Sequence, residues 1–150
     1  MHTQTRQIEL IGPQAGEAVN VLGAPITIKS SGRSDQMFFA DHPVTVGYGV
    51  PLHVHEDEDE LFYVIGGHIT LDSEAGATVA GPGSFVHLPR GVAHGYRNLG
   101  PEPAHMLVVT TPGGALEGVF RGLDAAARGR EPLEGPRIAA ICAGSRVTML

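Results

Sequence analysis

The sequence predicts an all-β protein, a sandwich or barrel of many short strands, and two observations carry that prediction. The chain of 150 residues contains 21 glycines and 11 prolines, so about one residue in five interrupts regular structure. From Leu52 to Thr110, short apolar segments are separated at regular intervals by Gly, Pro, Asn or acidic residues. That spacing is typical of all-β sandwiches and barrels. An apolar fraction of 42% suffices for one packed core, so we expect one domain.

Short strands are expected in order along the first 110 residues. Residues 1–20 alternate weakly between polar and apolar, as over 7–10, and predict an edge strand or an arm. A break is expected at Asp41-His42-Pro43, with His42 as a turn residue, because proline interrupts strand pairing. The remaining predicted strands are residues 21–22, 26–28, 37–39, 44–46, 52–55, 61–65, 68–71, 77–79, 84–88, 93–96 and 105–110.

The apolar period changes after residue 114 to that of a helix. Four apolar residues fall at i, i+3, i+4 and i+7, which predicts an amphipathic helix packed on the barrel: Leu116, Val119, Phe120 and Leu123. A second helix is expected from Pro136 to Gly144, with Ile138, Ile141 and Cys142 on one face, and residues 146–150 as a last extended segment. We therefore expect a barrel with an N-terminal arm over 1–114 and a helical extension over 115–150, within one domain.

Composition excludes several classes of function. Ten Lys and Arg against 16 Asp and Glu give a net charge of −6, and Lys29 is the single lysine, so we expect no nucleic-acid partner. No apolar run approaches the roughly 18 residues of a membrane helix, and residues 1–20 lack the order of a signal peptide. We expect a cytoplasmic protein. The single cysteine, Cys142, excludes an internal disulfide framework and is expected in the core.

Seven of the eight histidines lie between His42 and His105, and this is where chemistry is expected. His53 and His55 are two residues apart, a spacing that directs both imidazoles to one face of a strand. Five acidic residues follow at positions 56–60. Their mutual repulsion requires most of them to be solvated in a turn, and only Glu60, which begins the next apolar strand, is expected to point inward.

A third imidazole comes from His94, which follows a Pro-Gly turn at the start of another strand. Three imidazoles and one carboxylate suit a divalent first-row metal. In octahedral geometry they leave about two positions for water, substrate or oxygen, which predicts catalysis or ligand capture rather than a structural metal.

These residues form two spaced motifs that resemble those of the cupin superfamily. The first comprises Gly47, His53, His55, Glu60 and Gly67. The second comprises Gly83, Pro89, Gly91, His94 and Asn98, with fifteen residues between the motifs. The resemblance implies a single-domain double-stranded β-helix, or jelly-roll barrel. It implies one divalent metal on His53, His55, Glu60 and His94, with Fe(II) favoured and Mn, Ni, Co, Cu or Zn as the other candidates.

Segments within and around the second motif, and one upstream of the first, are similar to those of small bacterial quercetin-dioxygenase-like cupins. They are residues 26–29, 85–94, 97–98 and 111–114. This resemblance implies a dioxygenase that uses O2 on a flavonol or another enolisable aromatic ring, with Glu60 as ligand, as base, or as both in turn. Tyr96 shares the strand face of His94 and is a candidate acid or substrate anchor, or else an aromatic of the barrel wall.

Three alternatives to the dioxygenase stay open on the sequence. The same metal can act without redox chemistry in an isomerase, cyclase or lyase, and a cupin can also bind a small molecule without catalysis. The pocket can also be degenerate and hold no metal. Arg90, after the second motif's proline, is either a contact for an anionic substrate or a solvent-facing turn residue. A homodimer is expected by analogy with the family.

Overall fold

The computed structural model describes residues 7–30 and 36–150, which form two antiparallel sheets and two helices. One sheet has six strands in the order β1-β2-β3-β10-β5-β8, and the other has five in the order β11-β4-β9-β6-β7. The elements are β1 Glu17–Val21, β2 Ala24–Ile28, β3 Phe38–Val44, β4 Gly49–His55, β5 Asp59–Gly66, β6 Ile69–Ser73, β7 Gly76–Ala80, β8 Phe85–Leu88, β9 His94–Arg97, β10 Ala104–Thr111, α1 Ala115–Ala127, α2 Gly135–Ala143 and β11 Val147–Met149.

Consecutive strands from β3 to β10 change sheets at every step except the β6-β7 hairpin, which gives the double-stranded β-helix that the sequence predicts. β3, β5, β8 and β10 lie in the larger sheet, whereas β4, β6, β7 and β9 lie in the smaller one. Side chains alternate across each strand, so one face of each sheet contributes to a common core. Along β10, Ala104, Met106 and Val108 are buried while Leu107 and Val109 are only partly covered.

The expected break at residues 41–43 is wrong, because β3 runs without interruption from Phe38 to Val44. β2 pairs with β3 only at Ala40 and Asp41, so beyond Asp41 one edge of β3 has no strand partner within the described chain. Proline is tolerated there because its missing N–H removes no ladder hydrogen bond. His42, expected in a turn, is therefore a fully buried strand residue. The strand predicted over residues 44–46 ends at Val44.

The described part of the N-terminal arm is not a strand until Glu17. Residues 7–12 have no regular structure, and Ile8 and Leu10 are almost fully exposed. The Lys29 ammonium fixes the segment that follows, since it donates to the carbonyls of Gly12, Pro13 and Ala15 at 2.9, 3.2 and 2.6 Å. The arm alternative is thus correct for residues 7–16, and residues 1–6 lie outside the described residues.

Both C-terminal helices form where the apolar period predicts them. α1 buries Leu116, Val119, Phe120 and Leu123, and α2 buries Cys142. The final segment is strand β11, which pairs with β4 so that Met149 lies opposite His53 and Val147 opposite His55. Within the described residues, neither helix has the length and apolar composition needed to cross a bilayer.

The acidic run at 56–60 contains two buried carboxylates and not one, which corrects the sequence prediction. Glu58 is 2% exposed, and its carboxylate accepts the N–H groups of Ala115 at 2.7 Å and Leu116 at 3.0 Å. The residue before α1 is Gly114, which has no capping side chain. Glu58 therefore caps α1 from another element, and its negative charge lies at the positive end of the helix dipole.

Candidate metal centre

Three strands from both sheets bring four predicted ligands together. His53 and His55 lie on β4, and His94 on β9, where it pairs directly with His53. Glu60 comes from β5 of the other sheet. The Nε2 atoms of His53 and His55 are 3.1 Å apart, and the Glu60 Oε2 atom lies 2.9 Å from Nε2 of His94 and 3.3 Å from Nε2 of His55. All four side chains are buried, and one donor atom from each lies within 4.8 Å of the others, so the cluster could hold a metal ion.

The donor atoms are spaced and oriented as a cation requires. Two ligands at right angles on a metal with bonds of about 2.1 Å are about 3.0 Å apart, close to the distances between these atoms. The Nδ1 atoms of His53 and His94 donate to the carbonyls of Pro51 at 2.9 Å and Val92 at 3.1 Å. Because a carbonyl can only accept, these bonds fix the orientation of both rings, with Nε2 of each directed at the cluster.

Burial and mutual contact set the charge of the cluster. Burial alone would raise the pKa of Glu60, but hydrogen bonds from His55 and His94 and their charge lower it well below its usual range. Burial lowers the pKa of His53 to about 4. Burial also opposes the charging of His55, yet the contact with Glu60 raises the pKa of that imidazole. The cluster thus contains an ionised carboxylate and at least one neutral imidazole, the protonation states that bind divalent cations.

A cavity of about 60 Å³ lies against the cluster and is covered by the C-terminal elements. Its polar lining groups are His53, His55, Glu60 and Tyr96, and no lysine or arginine is among the described residues that line it. The other lining residues are apolar: Val21, Leu22, Val50, Val108, Leu116, Val119, Phe120, Leu123, Ile138, Cys142, Val147 and Met149.

Tyr96, the predicted acid or anchor, borders this cavity and contacts a histidine that the sequence analysis misplaced. Its hydroxyl lies 2.8 Å from Nε2 of His42. The signal that could have located His42 is the two-residue alternation of Phe38, Ala40, His42 and Val44, all of which are buried.

The remaining polar residues singled out in the sequence lie away from the cluster. Asn98 is buried, and its amide donates to the carbonyls of Val44 and Glu102, so it fixes the turn after β9. Arg90 is half-exposed and pairs with Asp59 at 2.9 Å, which agrees with the alternative of a solvent-facing turn residue. His87 contacts the same carboxylate, and His105 pairs with Asp41 on the partner strand β3.

Comparison with known proteins agrees with this geometry. Residues 44–110, which include all four candidate ligands, match the family described as Cupin domain. Together with the two-sheet topology and similarity to a cupin-superfamily structure, this match supports the cupin superfamily for residues 44–110.

Individual relatives cover only part of the chain. Quercetin 2,3-dioxygenase of Bacillus subtilis (strain 168) is 34% identical over 83 residues, which are 55% of this chain and 22% of that protein. A cupin-superfamily sugar phosphate isomerase from Silicibacter pomeroyi superposes with a TM-score of 0.55 at 27% identity, over 59% of each chain. The polyketide cyclase RemF of Streptomyces resistomycificus gives 0.61 at 24% identity, over 71% of this chain and 81% of that one. The likeness to the cyclase concerns the fold alone.

Proposed function

We propose that the protein binds one divalent transition metal through His53, His55, Glu60 and His94 and acts as a dioxygenase on a small, mostly apolar aromatic compound with an enolic or phenolic hydroxyl. The observation that carries the proposal is the set of four converging donor atoms, 2.9–3.3 Å between neighbours, three of whose residues line an apolar cavity. Similarity to a quercetin 2,3-dioxygenase supports this class of reaction. Fe(II) is the favoured metal, with Mn, Ni, Co, Cu and Zn as the other candidates.

The charge of the cavity favours a neutral organic substrate over an anionic one. Its only described charged group outside the imidazoles is the Glu60 carboxylate, and no lysine or arginine lines it. A phosphate or dicarboxylate there would have the metal as its one positive partner and no cationic side chain for its remaining charged oxygens, which is costly among apolar side chains. The dioxygenase is therefore favoured over the sugar phosphate reaction named for one of the structural neighbours.

The chain's own residues are assigned three tasks in the reaction. Glu60 accepts the proton of the substrate hydroxyl, Tyr96 anchors the substrate, and the apolar side chains of α1 and α2 exclude water from the ring. The metal, when bound, supplies Lewis acidity and redox chemistry toward oxygen.

Entry of a ring requires part of the cover to move. The cavity of about 60 Å³ is smaller than the roughly 150 Å³ cavity that accommodates benzene in another protein. α2 is the more weakly held of the two cover helices, since Cys142 is its one fully buried residue whereas α1 has five. In the proposal, residues 115–150 form a cover over the site, and α2 swings outward to admit the substrate.

Metal analysis and oxygen uptake test the proposal. Protein freed of metal is reloaded under nitrogen with each candidate metal, and O2 consumption is then followed with quercetin, catechol and acetylacetone. We expect one metal per chain, lost in His94→Ala, and substrate-dependent O2 uptake, lost in His55→Ala. The matched control is His87→Ala, which removes an exposed histidine and should change neither the metal content nor the O2 uptake.

The other outcomes point to other functions. Anaerobic turnover with Zn(II) would replace the dioxygenase with an isomerase, cyclase or lyase, and ligand binding without turnover would indicate a binding protein. Wild-type protein that retains no metal would contradict the proposed metal binding, and the dioxygenase with it. A homodimer and a cytoplasmic location stay predictions, which light scattering and cell fractionation test.

A further inference from the structure

A buried histidine outside the metal cluster contacts the wall of the cavity. His42 on β3 is 0% exposed, and its Nε2 lies 2.8 Å from the hydroxyl of Tyr96, which borders the cavity. The His42 ring also meets the rings of Tyr48 and Tyr96 edge to face, with centroids 5.5 and 5.8 Å away. A side chain held on three sides has little freedom to rotate, so the hydroxyl it contacts is held as well.

The chemistry of the His42 and Tyr96 pair is that of two neutral groups. Burial lowers the pKa of His42 to about 4, which leaves the imidazole uncharged at neutral pH. The Tyr48 hydroxyl donates to the Val21 carbonyl at 2.9 Å, so its proton is not directed at Tyr96. Toward Tyr96 the Tyr48 hydroxyl can only accept, so His42 and Tyr48 together hold the Tyr96 hydroxyl beside the cavity, with His42 Nε2 at 2.8 Å.

Tyr96 is also the one described polar group that lines the cavity without belonging to the metal cluster. A ligand with one oxygen can place that oxygen at the metal cluster, where its bonding requirement is met. A ligand with two neighbouring oxygens buries the second one among apolar side chains unless Tyr96 bonds it, and an unpaired buried oxygen costs about 1–3 kcal/mol.

We infer that His42 is a positioning residue, which holds the Tyr96 hydroxyl so that it bonds the second oxygen of a ligand bound at the cluster. The inference rests on the proposed function, since it needs a ligand at the metal. It narrows the substrate class to aromatic compounds with two adjacent oxygens, such as catechols and 3-hydroxy-4-keto ring systems.

Two coloured phenols test the inference on metal-loaded protein under nitrogen. 4-Nitrocatechol has two free oxygens, whereas in 2-methoxy-4-nitrophenol one oxygen is methylated, and absorbance titration gives a Kd for each. We expect His42→Phe to bind 4-nitrocatechol about tenfold more weakly, a loss typical of one hydrogen bond, with little change for the methyl ether. His42→Gln, which retains a hydrogen-bonding atom near Nε2, should restore most of the affinity. The double variant His42→Phe/Tyr96→Phe should bind no more weakly than Tyr96→Phe alone.

A readout without ligand separates positioning from damage to the fold. The chain has three tyrosines, so ¹³C labelling at Cζ gives three NMR signals. The Tyr96 signal should shift in His42→Phe and return toward its position in His42→Gln, while metal content stays at the wild-type level. Equal affinity of wild type and His42→Phe for 4-nitrocatechol would overturn the inference alone. Metal-loaded wild type that keeps the Tyr96 signal and binds neither phenol would overturn the proposed function, and the inference with it.

Discussion

Locking α2 onto α1 should close the cavity to any aromatic ligand. A Cβ atom placed on Gly122 of α1 would lie 2.8 Å from Cγ2 of Ile141 on α2. Because Cγ2 is one bond from the Ile141 Cβ, the two Cβ positions are about 4 Å apart, within the range that a disulfide spans. The perturbation is Gly122→Cys with Ile141→Cys, made in a Cys142→Ala background so that a single pairing can form.

The free energy of opening α2 follows from what it buries. Cys142 is buried, Ile138 and Ile141 are partly buried, and the connection over 128–132 is exposed. Full burial of such a side chain contributes about 1.5–3 kcal/mol, so these three together hold α2 by about 4 kcal/mol. About one molecule in 10³ is then open at equilibrium, which is more than global unfolding at about 5–15 kcal/mol provides.

Cys142 is a built-in reporter of this opening, since it is the only cysteine in the chain. Burial raises the pKa of its thiol, so it is protonated and unreactive while α2 is closed. Modification by a thiol reagent in native buffer should proceed about 10³-fold more slowly than for a free thiol, and still faster than global unfolding allows. Gly122→Ala should accelerate it by pushing Ile141 away; in an Ile141→Ala background, where labelling is itself faster, Gly122→Ala should cause no further acceleration.

The disulfide between positions 122 and 141 tests whether ligand binding requires α2 to open. The oxidised Gly122→Cys/Ile141→Cys protein should not bind 4-nitrocatechol, and reduction should restore binding to the same sample. Two results would refute the reasoning: labelling of Cys142 no faster than global unfolding, measured by urea titration, or equal binding by the oxidised and reduced forms.

Three further predictions concern stability, measured by urea unfolding. Glu58→Gln should destabilise the protein by about 1–2 kcal/mol, because it removes the charge that caps α1, whereas Glu56→Gln at an exposed site should stay within about 0.5 kcal/mol; equal effects would contradict the capping role. Gly67→Ala should cost at least about 2 kcal/mol more than Gly83→Ala, although both glycines have positive φ. A Cβ on Gly67 would meet backbone atoms of Pro103 and Ala104 at 2.5 and 2.6 Å, whereas one on Gly83 would meet nothing within 4 Å. The pKa of His42 is about 4 against an ordinary 6.5, so the unfolded chain takes up this proton first, and up to about 3 kcal/mol of stability should be lost through His42 as pH falls from about 6.5 to 4. His42→Gln should remove that share of the loss and leave the share of His53, whose pKa is also about 4.

The fold and the metal cluster could be predicted because both depend on local patterns. Alternation with a period of two gives the strands, and the spacing of His53 and His55 directs two rings to one face whatever the rest of the chain does. The change of period after residue 114 likewise locates α1 to within a residue of its observed start. Such signals need no knowledge of which strands are neighbours.

The two errors that matter arose where a long-range contact overrides a local rule. Repulsion within residues 56–60 suggests solvation, but Glu58 meets the N-terminus of a helix 57 residues further along the chain. Proline at 43 suggests a break, but the strand edge there has no partner within the described chain, so β3 continues and buries His42. Neither contact is visible before the topology is known.

The same distinction explains why the candidate metal ligands are more predictable than the substrate. All four candidate ligands lie within the cupin match at 44–110, where motif spacing fixes them. Ten of the sixteen residues that line the cavity lie outside that segment, on β1, α1, α2 and β11 and in the turn after β1. These elements share no motif with the ligands, and they set the size and polarity of the space in front of the metal. Selection for a new substrate can therefore act on the cover while the cluster beneath it is unchanged, which makes residues 115–150 the segment where relatives with different substrates should differ most.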